Sequence, residues 1–140
     1  MTPTTETAII EKLESLGIFK SVLSVSEVAG EQVNAQLTPA AYVGFGGYSV
    51  EDSSANHTAT KISETWNVYI VAKNARQRAH KESRGEALTL ARSAFVAIAG
   101  LIPEGARHPL EPVSPSERVA WASGFTWITL SFSHQSVLKA

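Results

Sequence analysis

Apolar residues recur at three- and four-residue spacing near the start of the chain, which is the pattern of a helix that buries one side. The stripe consists of Ile9, Ile10, Leu13 and Leu16. Thr2-Pro3 precedes it with a capping residue and a proline at the first helical position, and Gly17 follows as a stop signal. The sequence therefore predicts an amphipathic helix between Thr2 and Gly17.

A second helical stripe lies between residues 86 and 99. Its apolar members are Leu88, Ala91, Phe95, Ile98 and Ala99. Ser83 and Glu86 stand at the spacing of a capping box, in which each side chain satisfies a free backbone N–H. We expect the helix to begin there and to end before Gly100 and Pro103.

Alternating apolar and polar residues predict the strands. The predicted segments are 18–25, 41–45, 65–72, 118–121 and 125–133, with a shorter candidate at 110–113. Segment 65–72 is apolar on both faces, which is typical of a central strand. Gly46-Gly47 either ends or bulges the strand before it.

Three segments lack an apolar pattern and are predicted to be irregular. Residues 46–64 turn to Ser, Asp, Asn, His and Thr, which indicates an exposed loop. Residues 73–82 form a basic loop, and residues 135–140 form a tail that is either loose or docked on a neighbour. The predicted order is α-β-β-β-α-β-β in a single domain of residues 1–140. Its class is α+β: a largely antiparallel sheet of four to six strands with two main helices packed on it.

Composition favours a compact domain without thiol chemistry. The chain has 140 residues, of which 44% are hydrophobic and 18% charged, and it contains no cysteine. Disulfides, thiolate nucleophiles and zinc-cysteine sites are thereby excluded. No signal-peptide pattern and no apolar run of membrane-spanning length occurs. We therefore expect a protein with no membrane partner that stays in the cytosol unless it leaves inside a larger particle.

The charge is small in total but unevenly distributed. Net charge is −1, yet residues 1–60 carry seven acidic and two basic side chains, whereas residues 61–100 carry three acidic and seven basic ones. Such a division allows copies of the chain to attract one another head to side. Chance gives the same division, and both interpretations stand.

No pattern in the chain supports catalysis, a cofactor or a metal. The four histidines (57, 80, 108 and 134) lie in or beside predicted loops and chain ends, away from any second ligand at helical spacing, so we expect solvated side chains. The glycines from Gly44 to Gly47 are followed by neither a helix nor a Lys-Ser/Thr pair, so they do not form a phosphate loop. Glu51 and Asp52 are adjacent in an extended segment and point apart, which suits solvation. We predict a protein that is not an enzyme.

A run of basic residues is the one feature of the sequence that suggests a binding site. It consists of Lys73, Arg76, Arg78, Lys81 and Arg84. Arginine suits phosphate contacts, but no aromatic residue for base stacking is interleaved and the whole chain is slightly acidic. A solvated loop, a charge-complementary protein contact and a nucleic-acid contact remain open. The alternative function is a small accessory module that binds nucleic acid or protein through residues 73–84.

Taken in order, these elements resemble the tail-terminator-like proteins of Mu-like phages. The resemblance is carried by the first helix ending Leu16-Gly17, the segment 39–45, the segment 66–74 that leads into the arginines, the helix 86–99 and the closing hairpin to Phe132. It spans nearly the whole chain as a pattern of elements.

The resemblance implies a structural subunit that forms a ring, usually a hexamer, on the head-proximal end of a phage tail tube. The ring would stop tube polymerisation and bind the tube protein on one side and the head-tail connector on the other. It implies a place in the virion after assembly in the host cytoplasm, with DNA passing through the ring. Tyr48, Glu51 and Asp52 of the 46–64 segment, together with the basic run, become the candidate contacts with neighbours or with the DNA channel.

Overall fold

Within the described residues the fold consists of two helices and six strands, in the order that the sequence predicts. The computed structural model describes residues 4–25, 35–56, 58–73, 80–114, 117–122 and 124–139. The helices are α1 (Thr4–Ser15) and α2 (His80–Ile98), and a short 3₁₀ turn covers Ala35–Leu37. The strands are β1 (Ser21–Ser24), β2 (Ala40–Ser53), β3 (Ala59–Lys73), β4 (Glu111–Pro112), β5 (Arg118–Ala122) and β6 (Phe125–Lys139).

The strands form one mixed sheet in the order β1-β2-β3-β6-β4, with β5 also paired to β6. All pairs are antiparallel except β1 with β2. β3 pairs with β6 from Ala59↔Lys139 to Lys73↔Phe125, which makes these two strands the centre of the sheet. The α+β class and the largely antiparallel sheet with two helices are confirmed.

Both helices pack on one face of the sheet and enclose the main core. β2, β3 and β6 contribute alternate residues from that face, including Val43, Val68 and Leu130, all fully buried. α1 contributes Ile9 and Leu13, and the inner side of α2 is lined by small residues. Those residues are Ala87, Ala91 and Ala94. Because alanine brings a helix close to its sheet, α2 lies against β3 and β6 while the larger side chains fill the space from the sheet side.

The ends of α1 show how local sequence sets an element. Gly17 takes a φ of +68°, a left-handed conformation that suits glycine, and its N–H donates to Glu14 O at 3.2 Å. The predicted stop is therefore confirmed. Thr2-Pro3, predicted to begin the helix, lies outside the described residues.

The prediction of an exposed loop at 46–64 is wrong. β2 continues to Ser53 and β3 begins at Ala59, so only a short turn separates two long paired strands. Gly46-Gly47 does bulge the strand: pairing shifts between Phe45 and Tyr48, and Gly47 has a φ of +97°. The segment is rich in serine and threonine, which are polar but tolerate strand geometry. Its polar composition therefore did not distinguish a strand from a loop.

Two further boundaries differ from the sequence prediction. α2 already includes His80, so the Ser83–Glu86 pair lies inside the helix and residues 80–82 are not part of a basic loop. Charged helix formers extend the helix beyond its apolar stripe, which marks only the packed portion. The segment predicted as a tail at 135–140 is strand as far as Lys139. Its backbone pairs with Ala59 to Ser63, and its own side chains show no strand pattern.

Candidate assembly surface

The three longest strands continue past the helix-covered core as a three-stranded extension. It consists of residues 48–53 of β2, 59–64 of β3 and 134–139 of β6, paired in that order. The main core cluster reaches Trp66 and Phe132 but includes no residue of these three segments, although Ile62 is buried. We call these three segments the sheet extension.

One face of the sheet extension exposes large apolar side chains. Register places Tyr48 opposite Glu64, Val50 opposite Ile62 and Leu138 opposite Thr60, which puts all of them on the helix side of the sheet. Tyr48, Val50 and Leu138 are 59%, 63% and 50% exposed. Ile62, beneath them on the central strand, is buried. These exposed side chains on one face, which we call the apolar stripe, have the character of a contact surface.

At the base of the stripe, aromatic rings join the sheet extension to the core. Phe45 packs on Trp66 with ring centroids 5.2 Å apart and planes tilted by 57°. Trp66 Nε1 donates to Glu64 Oε2 at 3.0 Å, so the buried indole has its hydrogen-bond partner. The stripe is therefore held on a rigid base.

Both outer edges of the sheet extension lack a partner strand in the described ranges. β1 pairs with β2 only from Ala40 to Val43. β5 pairs with β6 only as far as Thr129, and β4 only at Phe132 and Ser133. The backbone of residues 48–52 on one side and 134–139 on the other thus presents edge N–H and C=O groups.

A cavity of about 350 Å³ runs along the β6 edge, between that strand and the loop at 105–108. Gln135, Ser136, Val137 and Lys139 all line it. Because neighbouring residues of a strand point to opposite faces, a cavity lined by consecutive residues lies beside the strand and not on one face. The cavity is therefore a groove at the backbone edge.

The two edges carry opposite charges. Glu51 and Asp52 are exposed on the β2 edge, whereas Arg107, His108 and Lys139 surround the β6 groove. Asp52 Oδ1 accepts a hydrogen bond from Ser53 N at 2.8 Å, and its cross-strand partner is Lys61. In the described part of the chain the one ion pair joins Arg92 to Glu117 at 3.0 Å, away from both edges.

His134 differs from the solvated histidine that its sequence context predicts. It lies in β6, is 4% exposed, and its Nε2 lies 3.1 Å from His108 O. The ring thus ties the loop at 105–108 to the β6 edge, and its Nδ1 has no hydrogen-bond partner within the described ranges. His108 is exposed, as predicted.

The opposite face of the sheet carries a second aromatic group. Tyr42 and Trp127 lie with ring centroids 6.1 Å apart, over the buried Ala40 and Val71. Burial raises the pKa of Tyr42 above its ordinary value, so its hydroxyl stays neutral. Beside it, Arg118 donates to Ser131, whose hydroxyl donates to Asn67 Oδ1 at 2.7 Å.

The structure separates the predicted contact residues into two groups. Tyr48, Glu51 and Asp52 are exposed on the sheet extension, whereas Lys73 is exposed at the far end of β3. The twelve residue-to-residue steps from Lys61 to Lys73 span about 40 Å of strand.

The structure describes only some residues of the rest of the basic run. Lys81 and Arg84 lie in the first turns of α2, and Arg76 and Arg78 lie outside the described residues. Sequence reasoning missed Val50, Leu138, Arg107 and Lys139, because only the strand register brings them to one end of the sheet.

Two kinds of feature are absent from the described ranges. No group of three His, Asp or Glu side chains there could hold a metal ion. No helix within the same residues is long and apolar enough to cross a bilayer.

Comparison with known proteins gives one family and one fold. A family model described as phage tail terminator protein matches residues 1–140. A solved chain from the virion of a native gene transfer agent particle shares the fold with a TM-score of 0.54 at 15% identity, over 93% of this chain and 92% of that one. No curated protein matches the sequence.

Proposed function

The chain belongs to the phage tail terminator protein family, and on that premise we propose that its copies form a ring capping the head-proximal end of a tail tube. The role of the chain is structural, in the tail of a phage-type particle. The ring stops the addition of further tube subunits and offers the surface to which the head connector joins. It assembles in the host cytoplasm and remains in the virion.

The observation that carries this proposal is the family match over the full length of the chain. The surface of the molecule supports it in physical terms. A subunit that stayed alone would keep Tyr48, Val50 and Leu138 in water, at 50% exposure or more. Burying such side chains against a neighbour is favourable by about 25 cal/mol per Å² of apolar surface.

A cyclic assembly of six copies follows from the same family resemblance and fits the asymmetry of the subunit. A head-to-tail contact joins two different surfaces of the same chain, and it closes into a ring when the rotation between copies divides a full turn. The sheet extension has two chemically different edges, which is what such a contact requires. An isologous dimer would instead need one self-complementary patch.

The basic run has a separate place in this proposal. Lys73 lies at the opposite end of the sheet from Glu51 and Asp52, so the two groups serve different partners. In the ring, the basic run faces either the phosphates of DNA in the channel or an acidic surface of the connector.

The proposal is tested by polymerising the tube protein of the same particle with and without this chain. We expect substoichiometric amounts of the chain to arrest tube growth, which electron microscopy shows as shorter tubes with added density at one end. The double variant Tyr48→Ser/Val50→Ser serves as a control that loses the apolar stripe. Tubes of unchanged length with bare ends at a molar excess of wild-type chain would contradict the proposal.

A further inference from the structure

The two outer edges of the sheet extension are complementary in strand direction as well as in charge. Within one subunit β2 and β6 are both antiparallel to β3, so they run parallel to each other. A second copy placed beside the first in the same orientation brings its β2 edge next to the β6 edge of the first. Each copy then uses one edge on each side, and no edge remains open in a closed ring.

The groove beside β6 offers space and positive charge to such an edge. Its volume is about 350 Å³, and Arg107 and Lys139 are among the residues that line it. The β2 edge carries Glu51 and Asp52 in the same stretch of chain as the exposed Val50. A negative, partly apolar edge therefore fits a positive groove.

The shape of the β2 edge limits where pairing takes place. Register shifts at Gly46-Gly47 and at Glu51 bound the regular stretch to Tyr48–Val50. Bulges at both ends prevent an edge from templating an extended sheet, which protects the free subunit from open-ended aggregation. Because this stretch is short, the adjacent carboxylates of Glu51 and Asp52 are needed to make the pairing with the β6 edge specific.

We propose that residues 48–52 of β2 in one copy dock along residues 134–139 of β6 in the next copy, with Glu51 and Asp52 facing Arg107 and Lys139. This inference rests on the proposed function and names the contact that joins neighbouring subunits. The partner is a second copy of the chain, bound by strand addition supported by charge.

Charge reversal on each edge separately tests the contact. Glu51→Lys/Asp52→Lys makes both edges basic, and Arg107→Glu/Lys139→Glu makes both acidic. We expect each variant alone to lose the oligomer peak in size exclusion with light scattering. An equimolar mixture should recover it, because every contact between unlike variants again joins opposite charges.

Matched controls change the same charges elsewhere on the surface. Glu11→Lys/Glu14→Lys on α1, and Lys12→Glu/Lys20→Glu, alter net charge equally at exposed positions away from both edges. These variants should assemble as the wild type does. Circular dichroism of all variants shows that they are folded, so loss of assembly reports on the contact.

Disulfide trapping gives a second measurement that uses the absence of cysteine from the chain. Val50 and Ser136 are both register partners of Ile62, so they lie two strands, or about 10 Å, apart in one subunit. That distance exceeds the roughly 7 Å limit for a disulfide, so a bond in Val50→Cys/Ser136→Cys joins two chains. We expect covalent dimers and higher species on a non-reducing gel, with Glu14→Cys/Ser136→Cys giving monomer.

The outcomes separate this inference from the proposed function. The edge contact is wrong if both reversal variants still form the rings that the wild type forms. It is also wrong if the two variants stay dissociated when mixed. Either result leaves the proposed capping role unaffected. A wild-type chain that neither oligomerises nor caps tubes contradicts the proposed function itself.

Discussion

Trp66 and Trp121 stand on strands of the same sheet but differ in what surrounds them. Trp66 is 2% exposed, packs against Phe45 and donates its Nε1–H to Glu64. Trp121, on β5, is 51% exposed. Both lie in segments that the alternating pattern identifies as strands. The sequence also predicts the central position of β3, but only the sheet order shows that β5 lies at an edge.

Removing each indole should therefore have unequal effects on folding. We expect Trp66→Ala to lower the free energy of unfolding by about 3–5 kcal/mol, because it leaves a large cavity in the core. Trp121→Ala should change it by no more than about 0.5 kcal/mol, as for other exposed positions. Urea titrations of the two variants measure the difference, and equal losses would contradict the assignment of Trp66 to the core.

Two glycines should respond to alanine with opposite signs. Gly17 has a φ of +68° at the end of α1, so Gly17→Ala should destabilise the protein by about 1 kcal/mol. Gly85 lies within α2 with nothing within 4 Å of an added Cβ, so Gly85→Ala should stabilise it by about 0.5–1 kcal/mol. Thermal unfolding measures both, and a melting temperature lowered by Gly85→Ala would contradict its placement in the helix.

At the scale of elements, the sequence predicts the helices and the central strand well and the ends of the strands poorly. The stripe from Ile9 to Leu16 and the two-sided apolar segment 65–72 are local signals, and both elements are confirmed. The strand continuations at 46–53 and 134–139 depend on pairing between residues far apart in the chain, such as Ala59 with Lys139. Local patterns carry no information on that pairing.

The residues of the candidate assembly surface likewise divide into those that local sequence indicates and those that only the folded structure brings together. Tyr48, Glu51 and Asp52 could be selected as exposed from their polar surroundings, and they are exposed. Arg107 and Lys139 gave no signal, because a loop after α2 and the end of β6 meet only in the folded sheet. Whether any of these residues contacts a neighbour stays a prediction.

The apolar stripe of the sheet extension should contribute to assembly and little to the fold. We expect Tyr48→Ser/Val50→Ser to abolish the oligomer while changing the free energy of unfolding by about 0.5 kcal/mol or less, since both side chains are mostly exposed. Val96→Ser on α2, at 76% exposure, is the control and should leave assembly intact. Light scattering paired with urea titration measures both properties; an unaltered oligomer in the double variant would remove the stripe from the interface.

Over the whole molecule, two groups of candidate contact residues lie at opposite ends of the sheet. Glu51 and Asp52 lie at one end, and Lys73, which begins the basic run, lies at the other. Different ends of one subunit can then serve different partners.

The basic run can be tested against DNA directly. If the run contacts phosphates, Arg76→Ala/Arg78→Ala should weaken DNA binding and lower the slope of log affinity against log salt by about 2. Filter binding at several salt concentrations measures the slope, with Lys12→Ala/Lys20→Ala as a control of equal charge. A slope unchanged by the arginine substitutions would exclude DNA as the partner of these two arginines.

Closure of the copies of this chain into a ring is tested most directly by the native mass of the purified wild-type protein. We expect one discrete species with the mass of six copies of the 15.0 kDa chain. A single copy at every concentration, or an open series of masses that grows with concentration, would contradict it.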